Sequence, residues 1–143
     1  MSAFVKTELD IDDQAHLIGA LKDLGWTDDQ IEVHADAVPL VGYHGDKRAQ
    51  KAHVIVRRKH IGGSSNDVGF ERVDGKFIAH VSEYDRNSAW ASRNGCKNLA
   101  HWEGRLKQLY GVRRAEAVAK KQGFKVTKTQ EKGQIQLVLQ RWR

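Results

Sequence analysis

The stretch Val68-Gly69-Phe70-Glu71-Arg72-Val73-Asp74-Gly75-Lys76-Phe77-Ile78-Ala79-His80-Val81-Ser82-Glu83-Tyr84 decides the fold class. Two runs rich in Val, Ile and Phe flank the dipeptide Asp74-Gly75. Such short runs bounded by a turn read as strands. Asp-Gly tolerates the two positive φ angles of a tight hairpin turn that matches strand twist. Strands over residues 68–73 and 76–84 therefore pair antiparallel.

Upstream, the tract Gly62-Gly63-Ser64-Ser65-Asn66-Asp67 reads as a flexible loop. Residues 51–61 form another strand, with Val54 and Val56 facing opposite to Ile55. Gly42-Tyr43-His44-Gly45-Asp46 is a loop, and residues 30–43 are extended. Pro39 lacks an N–H, which argues against a central strand there. Thr27-Asp28-Asp29 is a turn. Before it, Leu17, Ile18, Leu21 and Leu24 follow helical spacing, with Asp12 and Asp13 offering an N-cap and Gly25 ending the helix. Residues 3–11 alternate: Ala3, Val5, Thr7, Leu9 and Ile11 share one side of a half-buried strand.

Downstream, residues 85–98 are polar and irregular. Leu99, Trp102, Leu106, Leu109 and Tyr110 then make a helical core stripe. Gly111 interrupts it, so Val112, Ala115, Val118 and Ala119 continue as a second helix or a bent extension. Lys120 and Lys121 suit a helix C-terminus, with Gly123 as the cap. A closing hairpin follows: a strand over 124–130, a turn at Glu131-Lys132-Gly133, and a strand over 134–142 in which Ile135, Leu137 and Leu139 share a face. The order predicts an α+β fold: an antiparallel or mixed sheet, with an N-terminal helix and a long or bent C-terminal helix packed on one face, closing in a β-hairpin. The 143 residues read as one domain, without repeat or linker.

This closing segment carries a resemblance. Gln108-Leu109-Tyr110, then Lys120-Lys121-Gln122-Gly123-Phe124, then Lys132-Gly133-Gln134-Ile135-Gln136-Leu137-Val138-Leu139-Gln140-Arg141-Trp142 resemble the hypothetical chloroplast reading frame thirty-five family. That family occurs in red-algal plastids and cyanobacteria, and as a domain of unknown function in bacteria and phages. Its members pair a K-x-x-G-F helix end with a G-S-I-x-L-x-L-x-R-W strand; Gln134 here replaces the usual serine. Ser2, Phe4, Lys6 and Thr7 echo the family's opening strand, while residues 27–98 match only loosely. The resemblance implies an α+β fold and no activity, so no catalytic residue is carried over from it.

Composition narrows the functional classes. Forty per cent of the residues are hydrophobic and 29 per cent charged, enough for one core and a soluble surface. No apolar run approaches the roughly 20 residues that span a bilayer. The start Met1-Ser2-Ala3-Phe4-Val5-Lys6 lacks the basic-then-apolar order of a secretory signal, and Cys96 is a lone cysteine. A cytoplasmic address and no membrane partner are the expectation.

Charge is uneven. Residues 1–50 hold four Lys/Arg against ten Asp/Glu; from Arg86 onward 14 basic residues face three acidic ones, a net of +11. A basic surface attracts phosphates. Within it Arg86, Arg93 and Lys97 accompany Trp90 and several amides: cations hold phosphates, an aromatic stacks on a base, and Asn reads a base edge. Arg113, Lys120 and Lys121 fall near one side of the second helical stretch and could follow a phosphate backbone. Equally, that helix could pair with the acidic front, including Asp12, Asp13, Asp28 and Asp29. Arg57, Arg58 and Lys59 alternate along a strand and so make no single face.

Other candidates fall short of motifs. His34, His44, His53 and His60 lie farther apart than paired zinc ligands, and His53 and His60 have opposite strand parity. Cys96 with His101 lacks any further sign of a nucleophile and base. Neither the 62–66 tract nor the 42–45 tract is followed by a phosphate-binding Lys-Ser pair. The sequence therefore reads as a small basic protein that binds rather than catalyses, with no metal or cofactor. The expected partner is nucleic acid or a nucleotide-like ligand, held by Arg86, Trp90, Arg93, Lys97, Arg113, Lys120 and Lys121. The alternative is a protein-interaction module, such as a phage or bacterial adaptor or inhibitor. Terminal strands could extend a sheet between subunits, though the sequence sets no oligomeric state.

Overall fold

The alternating N-terminal segment forms β1 (Phe4–Ile11), with Leu9 and Ile11 buried. In this computed structural model, which describes residues 3–61, 65–83, 96, 99–132 and 134–141, the elements follow the predicted order. After β1 come α1 (Gln14–Asp23), β2 (Ile31–Val41), β3 (Lys47–Val56), β4 (Val68–Val73), β5 (Lys76–Ser82), α2 (Leu99–Lys121), β6 (Phe124–Glu131) and β7 (Gln134–Arg141).

Asp13 caps α1: its Oδ1 accepts from the His16 N–H at 2.9 Å. At the other end Trp26 N–H donates to the Leu21 carbonyl and Gly25 N–H to the Lys22 carbonyl. This pairing needs the left-handed φ of 112° that Gly25 adopts, the reason for glycine there. Between β4 and β5, Asp74 and Gly75 take φ of 51° and 81°, the two positive angles the hairpin predicts.

The main sheet runs β1-β5-β4-β3-β2, every neighbouring pair antiparallel. Strand β2 lies at an edge, the position its Pro39 permits. One sheet face packs on both helices. Ile11, Val54, Val56, Phe70, Phe77 and Ala79 meet Leu17, Ala20 and Leu21 of α1 and Trp102, Leu106 and Tyr110 of α2. Each such fully buried Leu, Ile or Phe contributes about 1.5–3 kcal/mol. The distal half of the β2–β3 hairpin folds over the opposite face. There Leu40, Ala52 and Ile55 form a second small cluster with Phe4 and Val38. Gly69 makes that layer possible: a Cβ on it would sit 2.7 Å from the side chains of both Leu40 and Ala52.

Two expectations change and one open choice is settled. The strand expected over 51–61 runs from Lys47 to Val56 and gives way to a 3₁₀ turn, Arg58–His60. The turn swings Ile61, fully buried, into the core. Second, of the readings open at Gly111, the structure takes the single long helix: α2 continues unbroken through it. An interior glycine costs about 1 kcal/mol relative to alanine, and buried Leu109, Tyr110 and Ala119 on both sides offset it. Third, the end of the supposedly flexible 62–67 tract is anchored, since Ser65, Asn66 and Asp67 are all buried.

The closing hairpin stands apart as a two-stranded sheet, β6-β7, resting on α2. Trp142 lies outside the described residues. Among the described residues no helix is long and apolar enough to cross a membrane.

Candidate functional site

A hollow of about 540 Å³ opens where the end of β2, the start of β3 and the 3₁₀ turn meet. Val38, Pro39 and Val41 form an apolar wall, and Lys47, Arg57, Arg58 and Lys59 stand around it with Asp67. Parity along a strand would have split Arg57, Arg58 and Lys59 between two faces. The strand ends at Val56, however, and the 3₁₀ turn (His60 N–H to the Arg57 carbonyl at 2.9 Å) brings all three to one rim.

Asp67 holds this corner together. Its carboxylate is fully buried. Oδ1 accepts from the Arg58 N–H at 2.7 Å; Oδ2 accepts from the Val41 N–H at 2.7 Å and from Arg57 Nη1 at 2.9 Å. Its own N–H donates to the Val41 carbonyl at 2.9 Å. A buried carboxylate is tolerated when charge-paired and hydrogen-bonded in this way. Asn66 Oδ1 accepts from the Tyr43 N–H, and the Arg58 guanidinium donates to the carbonyls of Tyr43 and Ser65. These bonds rigidify both loops beside the hollow.

Arg57 is braced from two sides. Nε donates to Glu32 Oε2 at 2.8 Å while Nη1 holds Asp67. The Glu32 hydrogen bond raises the Arg57 pKa against the opposing effect of burial, with Asp67 adding to the rise. Reciprocally, the Arg57 hydrogen bond lowers the Glu32 pKa, helped by His34, whose Nε2 lies 2.9 Å from Glu32 Oε1. Lys47 and Lys59, both exposed, make no ion pair with any described residue. The rim thus combines two held guanidinium groups, of Arg57 and Arg58, with two ammonium groups open to a ligand.

The residues singled out by charge fare differently. Arg86, Trp90, Arg93 and Lys97 lie outside the described residues. Arg113 lays its guanidinium on Asp23, with Nε to Oδ2 at 2.6 Å and Nη2 to Oδ1 at 2.7 Å. Lys120 lies 3.8 Å from Glu116, which Lys128 also approaches at 2.8 Å. Lys121 borders a second hollow, of about 520 Å³, with Asp12, Asp13, His16 and Arg114. The helix therefore meets the acidic front at Asp12 and Asp23, whereas Asp28 pairs with Lys22. Arg113, Lys120 and Lys121 do not join the β2–β3 hollow.

Among the described residues no three of His, Cys, Asp and Glu converge as a metal site. His53 Nδ1 accepts from the Arg72 N–H, and His44 lies against the Tyr43 ring. Cys96 is buried, and burial pushes its thiol pKa up, the reverse of what a nucleophile needs.

A model of one protein family matches residues 20–138, which include every residue of the basic hollow, all of α2 and most of the closing hairpin. The chain belongs to DUF1257, a family of proteins of unknown function. No curated protein and no solved structure matches the chain. In this DUF1257 chain the matched span begins inside α1, so β1, which pairs with β5 at the sheet edge, precedes it.

Proposed function

We propose that this DUF1257 protein is a non-enzymatic binding protein whose basic hollow takes an anionic, nucleotide-like partner. One observation carries the reading: Lys47 and Lys59, without carboxylate partners among the described residues, flank Arg57 beside the Val38, Pro39 and Val41 wall. Phosphate oxygens suit the ammonium groups and the guanidinium edge. A flat apolar moiety suits the wall, and small-molecule sites commonly pair such walls with a few fixed polar groups. Because Arg57 is already held by Glu32 and Asp67, its ordering does not cost binding energy anew. Arg86, Trp90, Arg93 and Lys97 enter the proposal from sequence chemistry alone, as further contacts for a longer, nucleic-acid partner.

Salt-titrated binding of ATP, single-stranded RNA, single-stranded DNA and inorganic phosphate tests the reading. Affinity should fall as salt rises, and Lys47→Ala combined with Lys59→Ala should weaken it by about tenfold or more. No detectable affinity for any of these probes at low salt overturns it.

A further inference from the structure

We infer that β7 is a homodimerisation edge: two copies pair their Gln134–Arg141 strands antiparallel, about a two-fold axis at Leu137, into one four-stranded sheet. The β6–β7 ribbon is separate from the main sheet, and among the described residues neither of its outer edges pairs with another strand. A two-stranded ribbon is marginal by itself in water; α2 supports this one on one face, and further strands would add to that.

The two edges differ in chemistry. Strand β6 carries Lys125, Lys128 and Glu131. Strand β7 has no charge from Gln134 through Gln140, and the Arg141 that follows lies over the Phe124 ring of its own hairpin at 5.3 Å. Edge strands are normally guarded by charge, proline or a bulge; β7 has no charge before Arg141, no proline, and an unshifted register from Phe124↔Arg141 to Glu131↔Gln134. A charged foreign strand would find no countercharge along it. A second β7 brings a strand equally free of charge from Gln134 through Gln140.

The register argues for the same occupant. Ile135, Leu137 and Leu139 lie on one face, opposite Gln130, Lys128 and Val126, while Gln134, Gln136, Val138 and Gln140 lie on the other. An axis at Leu137 sets Ile135 opposite the partner's Leu139 and Leu137 opposite the partner's Leu137. The apolar row of each copy then continues into the other, covering Leu139, which is 49 % exposed in one copy. On the outer face Gln136 meets the partner's Val138, which is 52 % exposed in one copy. This association is isologous and closed, so it stops at a dimer.

Sedimentation velocity of the full chain tests it. The wild type should run at about twice the 16.2 kDa chain mass. Gln136→Lys with Val138→Lys would gather four ammonium groups about the axis and should yield monomer, as should Gln136→Glu with Val138→Glu. Mixing the two double variants should restore a dimer, which unfolded or misfolded chains would not do. A wild type that stays monomeric through hundreds of micromolar overturns the inference. So does a lysine double variant that remains dimeric, or a mixture that fails to associate.

Discussion

Arg57 Nη1 donates to the buried Oδ2 of Asp67 at 2.9 Å, and the same oxygen accepts the Val41 N–H at 2.7 Å. One carboxylate thus joins the end of β2, the turn after β3 and the residue before β4. Two of the cations around the hollow, Arg57 and Arg58, are held by it directly.

Removing that carboxylate should be costly. Asp67→Ala leaves two backbone N–H groups and part of a guanidinium without their acceptor, and loss of one partner of a buried pair costs about 3–5 kcal/mol. Asp67→Asn retains an acceptor oxygen and should lose less. Urea unfolding of both variants checks the order; equal stability of wild type and Asp67→Ala would refute the role given to Asp67.

Acid should act on the Glu32–Arg57 contact. The folded-state pKa of Glu32 lies below its ordinary value of 4.5, chiefly through the Arg57 hydrogen bond. The unfolded chain therefore binds more protons than the folded one across that window. The stabilisation is complete above 4.5 and is lost as pH falls through the lower folded value. Wild-type stability should fall more steeply below pH 4.5 than that of Glu32→Gln, measured by urea midpoints across pH.

Tyr110 ties α2 to the start of α1. Its hydroxyl accepts from the N–H groups of Asp12 at 3.3 Å and Asp13 at 3.1 Å, and donates to Asp12 Oδ1 at 2.9 Å. Tyr110→Phe keeps the ring in the core and should destabilise by about 1–2 kcal/mol. Hydrogen exchange should show the loss concentrated at the first turn of α1.

Gly69→Ala tests the layer above the second sheet face. The new methyl would lie 2.7 Å from Leu40 and Ala52. Forced displacement in a packed core costs about 1–3 kcal/mol. Because Leu40 is itself buried, the double variant with Leu40→Ala should fall short of the sum of the two single losses in thermal unfolding, rather than match it.

The elements were legible where local chemistry decides them. Alternation marked β1, Asp74-Gly75 marked the β4–β5 turn, Asp12-Asp13 and Gly25 marked the ends of α1, and Pro39 spoke against a central strand. At Gly111 the sequence left a long helix and a restarted one both open, because buried residues on either side, not local propensity, decide for one continuous α2. The basic hollow was hidden for another reason. Strand parity separates Arg57, Arg58 and Lys59 only while the strand lasts, and β3 ends at Val56.

The sequence by itself determined the α+β class, the order of the elements, the helix stripe of Trp102, Leu106 and Tyr110, and the family-like closing hairpin, because periodicity and turn residues act over a few positions. Only the tertiary structure decided which charges stand open. Docking of α1 on α2 sets Arg113 against Asp23 across 90 residues, while the Val41–Asp67 contact across 26 residues builds the hollow beside Lys47 and Lys59. Whether a charge is paired or open depends on contacts between elements distant in the chain, which no local pattern encodes.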